Sequence, residues 1–214
     1  MKLLLFEPIL YVANEYLESG DDLSLVETST VRRNGVWFSA AINRQGKLVA
    51  CAFSDRNRHE VERAVRRSLP KNTSYEGRGH RGNHGLRILA SFYDGRGRAS
   101  LSSVDLSFVS GFRRDVYKTL CKIPLGKVTT YGTIASQLGG KRYARAVGTA
   151  VATNPLPLII PCHRVVPSSL KVGNYGMCGR NPTTGGYMKR MLLEREGVRF
   201  EGDKVAKRSV WVPR

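Results

Sequence analysis

The chain has 214 residues, 41% hydrophobic and 24% charged, and its 35 lysines and arginines against 17 acidic residues give a formal net charge of +18. That apolar fraction excludes wholesale disorder, and no apolar run approaches the roughly 18 residues that span a bilayer. Glu7 and Pro8 interrupt Leu3–Phe6 before a signal-peptide core can form, so two compact units in the cytoplasm are expected.

Val36–Ile42 and Lys47–Phe53 flank Asn43-Arg44-Gln45-Gly46 and predict a β-hairpin. Arg58–Leu69 places Val61, Ala64, Val65 and Leu69 at helical spacing and stops at Pro70, which predicts an amphipathic helix with a basic outer face. A loop is expected from Lys71 to about Gly85, then a short helix over Leu86–Tyr93. Gly95-Arg96-Gly97 and the polar run to Ser103 read as the linker between the two units.

Past that boundary, Phe112, Val116, Tyr117, Leu120 and Cys121 form one stripe of a helix that must end before Pro124. Thr130 can cap a helix bearing Ile134, Ala135 and Leu138, which Gly139-Gly140 stops. A second helix, Lys141–Thr153, buries Ala144, Val147 and Val151 and ends at Asn154-Pro155. Helix, glycine turn, helix is a helix-turn-helix pattern. Outward it carries Lys141, Arg142, Arg145 and Thr149 among the small residues Ala146, Gly148, Ala150 and Ala152, a combination that lets a duplex approach closely. Charge points the same way: residues 1–100 hold 16 basic and 11 acidic side chains, residues 101–214 hold 19 and 6, so a polyanion is expected on the second half. A packed alanine-rich helix with a solvated basic face fits the local pattern equally well.

Cys51, Cys121, Cys162 and Cys178 lie far apart, without the spacing of a zinc site or a disulfide framework. His80 and His84 have a metal-like spacing, but in a Gly- and Arg-rich stretch a solvated loop is the expectation. Cys162 differs from the others. Leu158-Ile159-Ile160-Pro161 leads straight into Cys162-His163-Arg164, followed by Val165-Val166-Pro167. A lone cysteine is commonly inert core; here prolines restrict the backbone on both sides, and His163 and Arg164 are groups able to favour thiolate over thiol. Adjacent residues seldom face each other, so a turn or a water must relay the proton if His163 is the base.

Ile160-Pro161-Cys162-His163-Arg164-Val165-Val166, preceded by Asn154-Pro155-Leu156-Pro157 and followed by Gly173-Asn174-Tyr175, closely resembles the O6-alkylguanine-DNA alkyltransferases. Gly126-Lys127-Val128-Thr129-Thr130-Tyr131-Gly132 and Ala144-Arg145-Ala146-Val147-Gly148 match the same family in the same order, so the resemblance covers about residues 105–200, the first hundred matching only in layout. It implies an α/β (α+β) fold: an RNase H-like N-terminal domain with a small antiparallel sheet over 1–103, a mainly helical, winged-helix-like domain over 104–200, and a basic tail over 201–214.

The activity implied is direct-reversal repair, a single-turnover transfer of the alkyl group from O6-alkylguanine, with O4-alkylthymine as a secondary candidate, in DNA to a protein sulfur. Cys162 takes the nucleophile's place and His163 the base acting through a water. Leu192-Leu193-Glu194-Arg195-Glu196-Gly197 supplies its acidic partner, Glu196, with Glu194 as the neighbouring surface charge. Tyr131 takes the place of the proton donor to the departing guanine, and Asn154 that of the residue tying the helices to the active-site turn. Val165, Gly173, Tyr175 and Gly176 fall where the family walls its base pocket. Arg145 falls on the finger that fills the helix after base flipping, in the minor groove, with Thr130, Lys141, Arg142, Ala144, Gly148 and Ser168 as further DNA contacts. A thiolate suits displacement at an alkyl carbon, and a flipped base suits a buried thiol. No metal or organic cofactor is implied, and a monomer is expected.

Two departures stand out: the extra residues Met177–Thr184 after the pocket motif, and Gly176 in place of serine. They suggest a longer pocket rim. Cys178 on this insertion is expected as an exposed residue rather than a disulfide partner of Cys162. The rival functions are a non-catalytic helix-turn-helix binder of damaged DNA and a transcription regulator whose Cys-His pair is core.

Overall fold

The computed structural model describes residues 23, 25–77, 80–97, 101–175 and 182–213. The hairpin forms as β2 (Val36–Asn43) and β3 (Leu48–Ser54). A strand absent from the sequence reading, β1 (Leu25–Arg33), precedes it and pairs antiparallel with β2. The signal for it was Asn34-Gly35: both residues adopt positive φ (49° and 81°), the requirement of a two-residue hairpin turn that few other residue pairs meet. A fourth strand, β4 (Ser74–Gly77), lies within the expected loop and runs parallel to β1. The sheet, in the order β3-β2-β1-β4, is therefore mixed rather than purely antiparallel.

Side chains alternate across this sheet and divide it into two faces. On one, Ala41, Val49 and Ala52 pack with Val61, Val65 and Leu69 of α1 (Arg58–Ser68), whose start is capped by Asn57 accepting from the Glu60 amide. On the other, Phe38, Ala40, Ile42, Cys51 and Phe53 pack with Leu86, Leu89 and Tyr93 of α2 (His80–Tyr93). α2 starts at His80, not Leu86. Gly85, which reads as loop, serves packing instead: a Cβ there would lie 2.9 Å from both Ile42 Cδ1 and Leu48 Cδ2, so a larger residue would force those buried side chains to shift. His84 is exposed near the start of this helix.

α3 (Gly111–Cys121) buries Val116, Tyr117 and Leu120 as its stripe predicts. Thr130 closes β5 (Thr129–Thr130) and caps α4 (Tyr131–Gln137), its hydroxyl accepting from the Thr133 amide at 3.1 Å. Gly139 and Gly140, both at positive φ, turn the chain through a 3-10 turn, Lys141–Tyr143, into α5 (Ala144–Ala152). The expected helix from Lys141 is thus α-helical only from Ala144. Val147 is buried as expected, but Ala150 is buried rather than outward, and Val151 only half-buried. β6 (Val165–Val166) pairs parallel with β5.

The chain continues through α6 (Pro182–Arg195) to a hairpin of β7 (Phe200–Glu201) and β8 (Lys204–Val205). Residues expected as a basic tail are built into the fold: the Val128 amide donates to Ser209 O at 2.8 Å, and the Trp211 amide to Val128 O at 2.7 Å. Composition marked the segment as charged; the backbone pairing that fixes it is not visible in composition. The cluster around Phe38 and Phe53 continues through Val116, Leu120 and Val147 to Ile160 and Cys162, so residues on either side of the 95–103 linker share one core. Among the described residues no helix is long and apolar enough to cross a membrane.

Candidate active site

The edge of β3 holds the segment that leads to Cys162. The Cys51 amide donates to Pro155 O at 2.8 Å and the Cys51 thiol to Pro157 O at 3.4 Å. Asn154 staples the same segment from within: its Nδ2 donates to Ile160 O at 2.8 Å while its Oδ1 accepts from the Leu156 amide at 3.0 Å. Leu158 sits in the left-handed region at φ 74°, a conformation that costs a non-glycine residue roughly 1 kcal/mol and persists because these bonds over-determine the loop. Pro161 then opens a 3-10 turn, Cys162–Arg164, immediately before β6.

Cys162 is 5% exposed and lines a cavity of about 160 Å³ with Tyr131, Gly148, Asn154, Tyr175 and Lys189. Its sulfur lies 3.8 Å from the Tyr175 hydroxyl. Burial pushes the thiol above its ordinary value, while hydrogen bonding from Asn154 and Tyr175 and the positive charge of Lys189 pull it back. At rest the group is a thiol that needs a base, surrounded by the groups that would stabilise its anion. The sequence reading credits that stabilisation to His163 and Arg164, and for Arg164 the structure corrects it: Nε and Nη2 donate to Glu196 at 2.8 and 2.9 Å, and Nη1 to Ile123 O at 2.8 Å.

Glu196 also meets His163, whose Nε2 lies 2.9 Å from Oε1. All three side chains are buried, at 7% exposure or less. Burial raises the Glu196 carboxyl, but its contacts with His163 and Arg164 outweigh that cost and hold it at about 2. The other ring nitrogen of His163, Nδ1, is buried with no hydrogen-bond partner among the described residues. Gly126 packs beneath this network at φ 75°, where a Cβ would come 3.1 Å from Glu196 O. Glu194 pairs with Arg190 on the surface, as its neighbouring-charge reading requires.

Lys189 was missed by sequence reasoning. It is 2% exposed, its ammonium donates to Val165 O at 2.7 Å, and burial lowers its pKa to about 8. The available signal was its position in α6: Met188, Leu192 and Leu193 are buried around it, so a lysine there faces inward. The sequence pattern gives Tyr117 only as part of the α3 stripe and does not single out Arg113. Both reach the end of α5: Arg113 Nη2 donates to Thr153 O at 2.8 Å and the Tyr117 hydroxyl to Ala150 O at 3.0 Å.

Of the other expected positions, Tyr131 is half-buried at the cavity, where burial raises its hydroxyl pKa, and Tyr175 is buried beside Cys162. Gly148 lines the cavity from α5. Lys141, Arg142, Arg145 and Ser168 are exposed and Ala144 is half-buried; the Thr130 hydroxyl is engaged in its cap. Val165 is fully buried behind the cavity. Gly176 and Cys178 lie outside the described residues, as do the side chains of Pro182–Thr184 at the end of the insertion.

A buried thiol facing a cavity thus lies behind a helix-turn-helix, and the histidine that follows it bonds a glutamate from another element. The family model described as 6-O-methylguanine DNA methyltransferase, DNA binding domain, matches residues 111–198. The methylated-DNA–protein-cysteine methyltransferase of Shigella flexneri is 44% identical over 91 residues, 40% of this chain and 46% of the relative. That of Saccharolobus islandicus (strain L.S.2.15) is 48% identical over 89 residues, 42% of this chain and 52% of the relative. The chain thus spans about half the length of the curated relatives it matches. A crystal structure of the Mycobacterium tuberculosis O6-methylguanine methyltransferase superposes with a TM-score of 0.61 at 28% identity, covering 83% of this chain and 96% of that one. The Mycobacterium tuberculosis protein crystallised with DNA gives 0.60 at 27%, covering 80% and 93%.

Proposed function

We propose that the protein repairs O6-alkylguanine in double-stranded DNA by moving the alkyl group irreversibly to Cys162. One observation carries this: a buried sulfur opens onto a cavity lined by Tyr131, Asn154, Tyr175 and Lys189, and the next residue, His163, is bonded to Glu196. In this reading the cysteine proton passes through a water to His163 Nδ1, the buried ring nitrogen that has no other partner among the described residues. Glu196 holds the tautomer and stabilises the imidazolium. The thiolate attacks the alkyl carbon, a C–S bond forms as the C–O bond breaks, and the Tyr131 hydroxyl protonates the departing purine so that it leaves neutral. The thioether product is stable, so each molecule acts once.

A cavity of this depth reaches the lesion only if the base leaves the stack. We assign entry to the minor groove through α5, with Arg145 filling the gap and Thr130, Lys141, Arg142, Ala144, Gly148 and Ser168 along the duplex; the exposure of the three cations and the small residues beside Arg145 support this. Val165 and Gly176 belong to the pocket wall in this reading. Residues 1–103 would form an RNase H-like domain and 104–200 a winged-helix-like domain, and the protein would act as a monomer. The test is mass spectrometry of the Cys162 peptide after mixing with a duplex containing O6-methylguanine: a gain of one methylene is expected, and its absence in protein that still binds DNA sinks the proposal.

A further inference from the structure

The charge on α1 has no place in the chemistry above. Arg63, Arg66, Arg67 and Lys71 are all exposed, and none has an acidic partner among the described residues, whereas Arg58 pairs with Glu62 and Arg56 with Glu60. Arg63 stands three and four residues before Arg66 and Arg67, so the like charges share one face about 6 Å along the axis, an arrangement that weakens a helix standing alone in water. The last-turn position suits Arg66 and Arg67 to the helix's negative end, but does not account for Arg63 or for Lys71 beyond it. Aromatic rings present two of the cations on this side of the sheet: Arg66 lies 4.2 Å over Tyr75, and Arg32, exposed on β1, lies 5.7 Å from the ring centroid of Trp37. Trp37 packs with the α1 cluster, so both belong to the sheet face that α1 covers.

That face is the far one. The cluster containing Cys162, α4 and α5 packs against the opposite side of β2 and β3. We infer that the α1 face is a second phosphate-binding surface, which holds a stretch of duplex DNA other than the one engaged through α5, so that one molecule bridges two duplex segments. Unpaired guanidinium groups at helical spacing complement a phosphate backbone and carry no base preference. The inference rests on the repair reading only in taking DNA as the polyanion.

The experiment loads the protein onto an immobilised 16-base-pair duplex, washes, and then offers a second, labelled duplex. Wild type is expected to capture it, R63Q/R66Q/R67Q to capture at least about tenfold less, and R63K/R66K/R67K to capture as wild type does. The salt slope of second-duplex capture should fall by roughly 0.9 per arginine removed. Unaltered far-ultraviolet circular dichroism keeps the comparison one of charge. Equal capture by wild type and the glutamine variant overturns the inference, as does no capture by wild type, or capture of anionic lipid vesicles but not of duplex. Alkyl transfer from free O6-benzylguanine, measured on the same samples, separates the two claims: its absence with capture intact removes the repair reading alone, and its presence with equal capture removes this one alone.

Discussion

Cys51 and Cys162 are both buried, both belong to the same apolar cluster, and both have pKa values raised by burial, yet their surroundings set them apart. Cys51 on β3 meets a carbonyl, Pro157 O, and among the described residues no group that would stabilise an anion. Cys162 meets Asn154, Tyr175 and Lys189, and its sulfur faces a cavity. Burial alone makes a thiol inert. In the proposed reaction, what separates Cys162 from Cys51 is the set of polar groups brought to it by other elements, together with the cavity it faces.

The largest effect expected from this contrast is in direct replacement. Cys162→Ser should abolish alkyl transfer while DNA binding in a gel-shift assay persists; Cys51→Ala should leave the transfer rate within about twofold, because Cys51 supplies packing rather than an anion. Labelling of Cys51 by iodoacetamide ahead of Cys162 in the native protein would undo the contrast altogether.

Next comes the buried ion network behind Cys162. Glu196→Gln leaves the buried Arg164 guanidinium uncompensated and should cost about 3–5 kcal/mol in a denaturant titration, as well as slowing transfer. Its pH signature has a definite sign. The Glu196 carboxyl is held at about 2 in the folded state against an ordinary 4.5, so its contribution to stability is complete above pH 4.5 and is lost as pH falls toward 2. The glutamine variant should lack that acid limb; identical acid unfolding curves for both proteins would show that the network adds nothing.

Lys189 sharpens the comparison further, since Cys51 has no counterpart to it. Lys189→Met should slow transfer to free O6-benzylguanine by about a hundredfold, the low end of what losing one preorganised group that stabilises developing charge costs. In the wild type the rate should climb with pH as the thiol ionises, then break near pH 8 as the lysine loses its proton; the methionine variant should show no break there. A purely structural lysine would lower the rate without moving the profile. The smallest effect is expected at the start of α4, where Thr130→Ala removes a cap and should lower stability by about 1 kcal/mol, read as a shift in the denaturant midpoint.

Much of the second half was legible because its signals are local. The stripe of α3, the threonine cap of α4, the Gly139-Gly140 turn and the Asn154-Pro155 stop each depend on residues within a few positions of one another. The first half yielded less. β1 is polar on much of its length and its pairing with β4 is non-local, and Gly85 looked like loop because nothing in its neighbourhood reveals the sheet it packs against.

The site divides along the same line. The sequence by itself determined which residue carries the sulfur, which histidine follows it and which turn presents them, since Pro161-Cys162-His163-Arg164 and the Asn154 staple are contiguous chain. Only the tertiary structure decided what the sulfur feels. Lys189 and Tyr175 reach it, and Glu196 reaches His163, from elsewhere in the chain, and Arg164, adjacent in sequence, is drawn away to Glu196 and Ile123. The reason is the range of the interactions involved. Hydrogen bonds and steric stops act between near neighbours along the chain, whereas desolvation and charge act through space, on whichever groups the fold brings within a few ångströms.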